Sequence, residues 1–168
     1  MEKGITIFVT GGTFDKEYDE IHGKLYFKET HLQEILNLGR CTIPVNIITL
    51  MMIDSLQMTM GHRNRIVQSC LKCPDEHIII THGTDTMVET ARLLAEEKAD
   101  KTIVLTGAMI PYKFGSSDGL FNMGCALSFV QALPHGVYIT MNGRYFHWDN
   151  VRKNRQTGIF EELNLEPS

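Results

Sequence analysis

The chain has 168 residues, of which 43% are hydrophobic and 21% are charged, a composition typical of a single globular domain over residues 1–168. Twenty acidic and sixteen basic residues give a net charge of −4, which argues against a dedicated DNA- or RNA-binding protein. The most apolar stretches, residues 45–53 and 124–133, are shorter than the roughly 20 residues of a membrane-spanning helix, so we expect no membrane partner.

The cysteines and the N-terminus favour a cytoplasmic protein. The cysteines are too few and too irregularly spaced for a disulfide framework: Cys41, Cys70, Cys73 and Cys125. The first residues lead directly into an apolar run, without the small-residue cleavage site of a secretory signal. We therefore expect reduced thiols and a cytoplasmic location.

The alternation of strand and helix patterns indicates the fold class. Runs rich in Val, Ile and Thr predict buried strands at residues 5–10, 45–50, 77–81, 102–106 and 137–141. A capping box of Thr30 and Gln33 predicts a first helix to Leu38, and further helices are predicted over 59–72, from residue 87 and after an N-cap at Asp118. We therefore expect an α/β fold with a doubly wound, mostly parallel sheet and helices on both faces.

The last quarter of the chain has a different residue pattern, with aromatic runs around a turn. Asn142-Gly143 lies between two short aromatic runs, which is a strong signal for a hairpin turn. We expect a C-terminal hairpin that folds back over the sheet.

Glycines and polar side chains follow the predicted strands at their carboxyl ends, where open α/β sheets bind ligands. Gly11-Gly12 permits a sharp turn and a close approach of the backbone to a small ligand. The candidate residues at these ends are Gly12, Thr13, Asp54, Ser55, Gly83, Thr84, Asp85 and Ala108.

Other interpretations of these segments stay open to different degrees. A P-loop would end in Gly-Lys-Ser/Thr and a dinucleotide turn would have a third glycine, so a nucleotide-dependent oxidoreductase is the weakest interpretation. Thr13 is also compatible with a purely structural place in a tight turn. Either Thr84 or Asp85 is compatible with the N-cap of the following helix.

Two cysteines and two histidines could in principle supply the four ligands of a zinc site. Cys70, Cys73, His77 and His82 have suitable side chains, but the predicted strand separates the two histidines by about 16 Å at ~3.3 Å per residue. We therefore expect no metal.

Several of these segments resemble, in order and spacing, the signature segments of the bacterial-type L-asparaginase/glutaminase family. They are residues 10–13 (Thr-Gly-Gly-Thr), 82–86 (His-Gly-Thr-Asp-Thr) with 89–91, and 106–111 with 117–119 and Asn122. Residues 54–59 are similar to the family's substrate-binding segment, and 149–153 to the segment that carries its lysine. The match covers nearly the whole chain and stops at the family's N-terminal domain, so the chain resembles a short form without the smaller C-terminal domain.

The resemblance implies roles for individual residues. Thr13 corresponds to the nucleophile, and a second cluster comprises Thr84, Asp85 and Lys153. A nearby tyrosine activates the nucleophile, and we assign Tyr18 because it lies on the same short loop, with Tyr26 as the competing choice. The implied substrate-binding residues are Gly12, Asp54, Ser55, Gly83 and Ala108.

Ser55 and Asp85, one from each of these sets, would hold the α-carboxylate and the α-ammonium of the substrate. Leu56 stands where many relatives have a polar residue. Backbone amides around residues 12–13 or at Ala108 would face the developing negative charge. Without the resemblance, Lys153 has the simpler interpretation of a solvated charge between Arg152 and Arg155.

The implied activity is hydrolysis of L-asparagine to L-aspartate and ammonia through an acyl-enzyme on threonine, with no metal and no cofactor. A second hypothesis is a non-catalytic amino-acid-binding or regulatory module that keeps the same pocket. The preference between asparagine and glutamine stays open, because one methylene changes binding by only ~1–3 kcal/mol.

We also expect a homo-oligomer, a dimer or a dimer of dimers, because closed symmetric dimers are the commonest way to bury an apolar surface patch. Apolar residues are concentrated in the tail, where a surface hairpin is normally polar. Two hypotheses fit them equally, a subunit contact or a cover over the sheet edge within one chain: Tyr145, Phe146, Trp148, Ile159, Phe160 and Leu163.

Overall fold

The structure is a computed structural model that describes residues 4–163. Its strands are β1 (Ile5–Gly11), β2 (Lys16–Asp19), β3 (Lys24–Phe27), β4 (Val45–Ile53), β5 (His77–Thr81), β6 (Thr102–Thr106), β7 (Gly136–Met141), β8 (Arg144–His147), β9 (Arg152–Lys153) and β10 (Phe160–Glu161). Its α-helices are α1 (Leu32–Leu38), α2 (Met60–Lys72), α3 (Met87–Glu96) and α4 (Gly119–Ala132).

The central sheet has six strands in the order β4-β1-β5-β6-β7-β8. Pairing is parallel from β4 to β7, and β8 is antiparallel to β7. The chain runs from β1 outward to β4 and then returns past β1 to β5. The direction of strand addition therefore reverses between β1 and β5, and crevices of this kind bind ligands in open α/β sheets.

Each face of the sheet is covered by a separate hydrophobic core, as expected for a doubly wound fold. One core contains Ile66 and Val67 of α2 and Met87 of α3, and the other contains Ile35 of α1 and Met123 of α4. Successive strand residues alternate between the two: in β5, Ile78 and Ile80 enter the first core and Ile79 the second. The predicted fold class is therefore confirmed. No helix within residues 4–163 is long and apolar enough to cross a membrane.

The start of α1 differs from the prediction. The N-cap position is His31 and carries no side-chain cap. Thr30 Oγ1 donates to Asp15 Oδ1 at 3.1 Å, and Gln33 bonds Asn37 instead of closing a capping box. Asp15 is fully buried, which raises the pKa of its carboxyl, and this carboxyl also accepts from the His31 amide. Thr30 Oγ1 also accepts from the Leu32 amide at 3.3 Å, so a long-range tether to the β1 loop is added to a local contact, and only the predicted Gln33 half of the capping box is absent.

A hairpin that the sequence did not predict lies between β1 and α1. Strands β2 and β3 pair antiparallel, with Tyr18 opposite Leu25 and Glu17 opposite Tyr26. Half of the residues in these two strands are charged and none is buried, so the strands lack the buried apolar pattern on which the strand predictions depended. The loop assigned to Tyr18 is therefore a two-stranded ribbon that carries both tyrosines.

The predicted hairpin turn at Asn142-Gly143 joins β7 to β8, and both of its residues have positive φ, 58° and 78°. The apolar side chains of the tail beyond it fall into two groups. Phe146 and Phe160 are 2% and 1% exposed in the core shared with α2 and α3, and Trp148 packs against that core. Tyr145, Ile159 and Leu163 stay exposed. Half of the tail's apolar side chains therefore cover the sheet within one chain.

Neighbouring substitutions test this packing of the tail. Phe160→Ala should lower the free energy of unfolding by about 3–5 kcal/mol, because it leaves a cavity in the core. Ile159→Ala, at a side chain that is 52% exposed, should change it by less than about 0.5 kcal/mol. Urea unfolding of both variants measures the difference. Equal effects at the two positions would show that the tail does not pack as described.

Candidate active site

The two candidate threonines lie at the point where the strand order reverses. Thr13 lies two residues after the end of β1 and Thr84 three residues after the end of β5, and β1 and β5 are adjacent and parallel. Parallel strands end at the same edge of a sheet, so both threonines emerge on one side of the crevice. Thr84 is buried, whereas Thr13 is partly exposed in a short 3₁₀ turn, Thr13–Asp15.

Glycine backbone contacts bring these loops together. Gly12 has φ 77°, and a Cβ there would lie 2.6 Å from the Cα of Gly83. A Cβ on Gly83 would in turn lie 2.5 Å from both Cβ and Oγ of Ser55. No larger residue fits at either position without moving the backbone. The structure therefore brings together the predicted residues Gly12, Gly83 and Ser55, with Thr13 and Thr84 directly following the two glycines.

A second cluster forms where the tail returns to the sheet. Lys153, in β9, donates from Nζ to Thr84 Oγ1 at 2.8 Å and to Asp85 Oδ1 at 3.0 Å. Its side chain is 11% exposed, so it is a mostly buried cation held by two of the predicted site residues. Arg155 also donates to Asp85, to Oδ1 and to the backbone oxygen. The interpretation of Lys153 as a solvated charge is wrong, because the tail folds over α3's N-terminal turn.

Asp54 lies at the edge of this crevice, at the end of β4. Its Oδ2 accepts from Lys16 Nζ at 2.6 Å, and its Oδ1 accepts from the Leu56 amide at 3.0 Å. The hydrogen bond from Lys16 holds the pKa of Asp54 below its usual value. Both oxygens are thus engaged within the protein. Lys16 was not predicted, since nothing in its local sequence distinguishes it from a surface lysine.

The structure does not decide between the two tyrosines. Tyr18 and Tyr26 are both exposed on the β2–β3 ribbon, and neither hydroxyl makes a hydrogen bond within the described residues. The Tyr18 hydroxyl lies near the ribbon's own turn, 3.8 Å from the Cβ position of Gly23. The choice of Tyr18 stays a prediction.

The backbone amides expected to face a developing negative charge are partly committed elsewhere. The Gly12 amide donates to Ile53 O at 3.0 Å, so the expectation that it faces the ligand is wrong. Ala108 is buried in the core beside α4, which leaves only its backbone for the crevice. The following amides, of Met109 and Ile110, bond the Asp118 carboxylate, which occupies the predicted N-cap position but tethers this loop instead of the helix.

A buried cation beneath the crevice was missed. Arg63 of α2 is 5% exposed and donates to Thr90 Oγ1 at 2.6 Å and Thr86 Oγ1 at 3.1 Å. Thr86 Oγ1 donates to Ser55 O, and His82 bonds Thr90 and the Gly83 carbonyl. A signal existed in the sequence, because Arg63 falls on the helical stripe of Ile66, Val67 and Cys70, where a charge must find buried partners.

The cysteine and histidine side chains that could have formed a zinc site do not lie together in the structure. Cys70 is fully buried in the core, which raises the pKa of its thiol to about 12. His82 hydrogen-bonds Thr90 at the opposite end of β5 from His77. Within residues 4–163, no three His, Cys, Asp or Glu side chains are grouped so that they could hold a metal ion.

His82 makes the stability of this region depend on pH. Burial lowers the pKa of His82 to about 4, whereas an unfolded histidine titrates near 6.5. Between pH 6.5 and 4 the unfolded chain therefore binds more protons, so the contribution is fully present above pH 6.5 and is lost as the pH falls. The loss amounts to roughly 3 kcal/mol at about 1.4 kcal/mol per unit.

The prediction compares wild type with His82→Asn. The difference in unfolding free energy between them should shrink by about 3 kcal/mol from pH 7 to pH 4, because the variant lacks the titrating ring. His135→Asn, at an exposed position, serves as the control and should follow the wild-type pH dependence. Urea unfolding at unit pH intervals measures both. A difference that is constant with pH would contradict the burial of a neutral His82.

Comparisons with known proteins agree with this architecture. L-asparaginase 2 of Escherichia coli (strain K12) is 32% identical over 180 residues, covering 97% of this chain and 50% of that protein. L-asparaginase I from Vibrio cholerae has a TM-score of 0.83 at 25% identity, covering 99% of this chain and 53% of the other. A probable cytoplasmic L-asparaginase from Campylobacter jejuni has a TM-score of 0.78 at 29% identity. The match covers 90% of this chain and 49% of the other.

The chain spans about half the length of the curated relatives that match it along nearly its whole length. The family model described as "Asparaginase, N-terminal" matches residues 4–167, so the match includes β1, the central sheet and the tail that carries Lys153. Together with the fold and the clustered strand-end residues, this match shows that the chain belongs to the asparaginase family and corresponds to its N-terminal domain.

Proposed function

We propose that this protein is an amidohydrolase that converts L-asparagine to L-aspartate and ammonia, with Thr13 as the nucleophile of an acyl-enzyme. The observation that carries the proposal is the chain of contacts from Lys153 through Thr84 to the Gly83–Gly12 contact, which adjoins Thr13. A mostly buried cation that donates to a hydroxyl is suited to the proton transfers of amide cleavage.

In the first step, Thr13 Oγ1 attacks the carbon of the substrate's side-chain amide. A threonine hydroxyl is a weak nucleophile, so a base must take its proton. We assign this role to Tyr18 as its phenolate, on the strand that follows the Thr13 turn, with Tyr26 as the alternative on the same ribbon. The phenol that forms returns the proton to Thr13 Oγ1 when the ester is hydrolysed. The Thr13 hydroxyl makes no hydrogen bond within the described chain, which is compatible with a group that engages the substrate.

In the second step, the carbon–nitrogen bond breaks and the leaving nitrogen needs a proton. Lys153 donates to Thr84 Oγ1, so Thr84 can pass its own hydroxyl proton to the leaving group while it receives one from Lys153. The same pair, reversed, takes a proton from the water that hydrolyses the ester on Thr13. Asp85 holds the lysine ammonium in place at 3.0 Å.

The substrate's main-chain groups need partners of both charges. Asp85 and Ser55 are assigned to the α-ammonium and the α-carboxylate, and Asp54 borders the same crevice through its pair with Lys16. Gly12, Gly83 and Ala108 are assigned to line the substrate with their backbone, and at the two glycines no room is left for a Cβ. No step of this reaction uses a metal or a cofactor.

The proposal also includes assembly and location. We infer a homo-oligomer, a dimer or a dimer of dimers, and Tyr145, Ile159 and Leu163 of the tail are exposed and available for a subunit contact. The cytoplasmic location stays a prediction from the cysteine content.

Removal of the nucleophile is the most direct test. Thr13→Ala should lower kcat for L-asparagine by at least about a thousandfold, because no other hydroxyl can form the ester. Binding of L-aspartate, followed by calorimetry, should be retained. Thr42→Ala, at an exposed loop position, is the matched control and should release ammonia at the wild-type rate. Wild-type protein that binds L-aspartate and releases no ammonia would instead support the non-catalytic module.

A second pair of substitutions tests the proton relay. Lys153→Met and Thr84→Ala should each reduce kcat by about 10²- to 10⁴-fold and change KM less, because the relay acts on the leaving group. Lys72→Met, at the exposed end of α2, controls for the loss of a lysine. Unfolding midpoints of all variants separate a catalytic effect from a folding defect. A change confined to KM would remove Lys153 and Thr84 from the relay.

A further inference from the structure

One carboxylate oxygen of Asp85 accepts hydrogen bonds from two cationic side chains. Lys153 Nζ and Arg155 both donate to Oδ1, and Arg155 also reaches the backbone oxygen of Asp85 at 2.8 Å. The other oxygen, Oδ2, makes no hydrogen bond within residues 4–163, on a side chain that is 31% exposed. Oδ1 of this carboxylate thus accepts from two cations, whereas Oδ2 is available to a ligand.

Stability does not explain why Arg155 is held here. Its side chain is 61% exposed, and ion pairs at such exposure contribute little to folding. Asp85 already has a better-buried partner in Lys153. The guanidinium is nevertheless fixed in orientation, because its two contacts grip a side-chain oxygen and a backbone oxygen of the same residue.

The local turn fixes Arg155 from the other side. Asn154 precedes it, and the Asn154 side chain accepts from the amides of residues 156 and 157. The backbone of Asn154 bonds Gly158 and Ile159, which closes the turn between β9 and β10. Arg155 is therefore presented by a closed turn.

Among the five side chains of the two ion-pair groups at the crevice, the cations exceed the carboxylates by one. Lys16 and Asp54 pair with each other, whereas Lys153 and Arg155 share Asp85. Two contacts use two of the five N–H donors of a guanidinium, so three remain for a ligand. Leu56, beside Ser55, is 68% exposed and offers no polar group. An anionic group bound here has Arg155 as its strongest available partner.

We propose that Arg155 determines substrate specificity by receiving the α-carboxylate of the ligand, while the open Oδ2 of Asp85 accepts the adjacent α-ammonium. An α-amino acid carries these opposite charges on one carbon, and the Asp85–Arg155 pair presents the complementary charges side by side. This inference rests on the proposed function for the identity of the substrate. It adds a charged partner, Arg155, for the carboxylate that is already assigned to the Ser55 hydroxyl.

The experiment combines substitutions of Arg155 with ligands that lack one charged group. The variants are Arg155→Gln and Arg155→Lys, with Arg152→Gln as the control, because Arg152 lies on the same β9 tail and pairs with Glu161 at similar exposure. The ligands are L-asparagine, succinamate without the ammonium, and 3-aminopropanamide without the carboxylate. KM and kcat are measured for each, and L-aspartate binding is measured by calorimetry.

Arg155→Gln should raise KM for L-asparagine and succinamate by about 10- to 100-fold with kcat within threefold, since a charge-assisted hydrogen bond is lost. It should leave 3-aminopropanamide unchanged. Arg155→Lys should show a smaller rise, because the charge remains without the planar fork. Arg152→Gln should match wild type, and equal unfolding midpoints for the variants exclude a folding defect.

Other outcomes separate this inference from the proposed function. If wild type hydrolyses L-asparagine and Arg155→Gln keeps its KM, the role of Arg155 is overturned and the proposed function stands. If wild type lacks hydrolysis but binds L-aspartate, a 10- to 100-fold weaker binding by Arg155→Gln still supports the carboxylate contact. Equal sensitivity of 3-aminopropanamide to the substitution, or no L-aspartate binding by wild type, would overturn it.

Discussion

The close approach of the Gly12 and Gly83 backbones is the constraint on which the rest of the site depends. It occurs where β1 and β5 end side by side, and it leaves no room for a Cβ on either residue. Because the two loops touch through backbone, the residues that follow, Thr13 and Thr84, have their positions fixed by the sheet. Ser55 packs against the same glycine, so a third strand end joins the arrangement. The site is therefore built on rigid strand ends, although its side chains lie in loops.

Below this contact, a buried polar network holds the loop after β5. Arg63 provides the charge, and its hydrogen bonds to two threonines reach Ser55 on one side and His82 on the other. A buried guanidinium is costly unless its donors are satisfied, and a network of this kind specifies one arrangement of its members. Glu89 is largely exposed, so its ion pair with Arg63 offsets only part of the free-energy cost of burying the guanidinium. The hydrogen bonds to the threonine hydroxyls offset the remainder.

The tail completes the crevice from far along the chain. Lys153 and Thr84 are 69 residues apart, and their contact depends on how the tail is anchored. Val151 and Phe160 are buried on either side of the β9–β10 turn, and the Phe160 amide bonds the side chain of Asn142 in the β7–β8 turn. Apolar burial at both ends thus holds the cationic segment 153–155 against the carboxylate of Asp85. The same tail residues that cover the core therefore determine the electrostatics of the site.

The sequence by itself determined the sheet, its helices and the positions of Thr13, Thr84 and Asp85 near one edge. This was possible because buried parallel strands have continuous Val, Ile and Thr runs, and because ligand sites follow their carboxyl ends. The turn at Asn142-Gly143 was equally readable, since few residues adopt its backbone conformation. The short, exposed and charged strands β2 and β3 have no such pattern and were missed.

Only the tertiary structure decided which charges meet. No local pattern predicted that Arg155 bonds Asp85 or that Lys16 bonds Asp54. The pattern at Thr30 predicted a local cap but not its second partner, Asp15. In each case the partner is distant in sequence or lies across a turn whose path depends on packing. Local propensity reports the backbone conformation of a segment, whereas a buried ion pair or hydrogen bond depends on which segments the core brings together. The chemistry of this site therefore follows from contacts that no local pattern encodes.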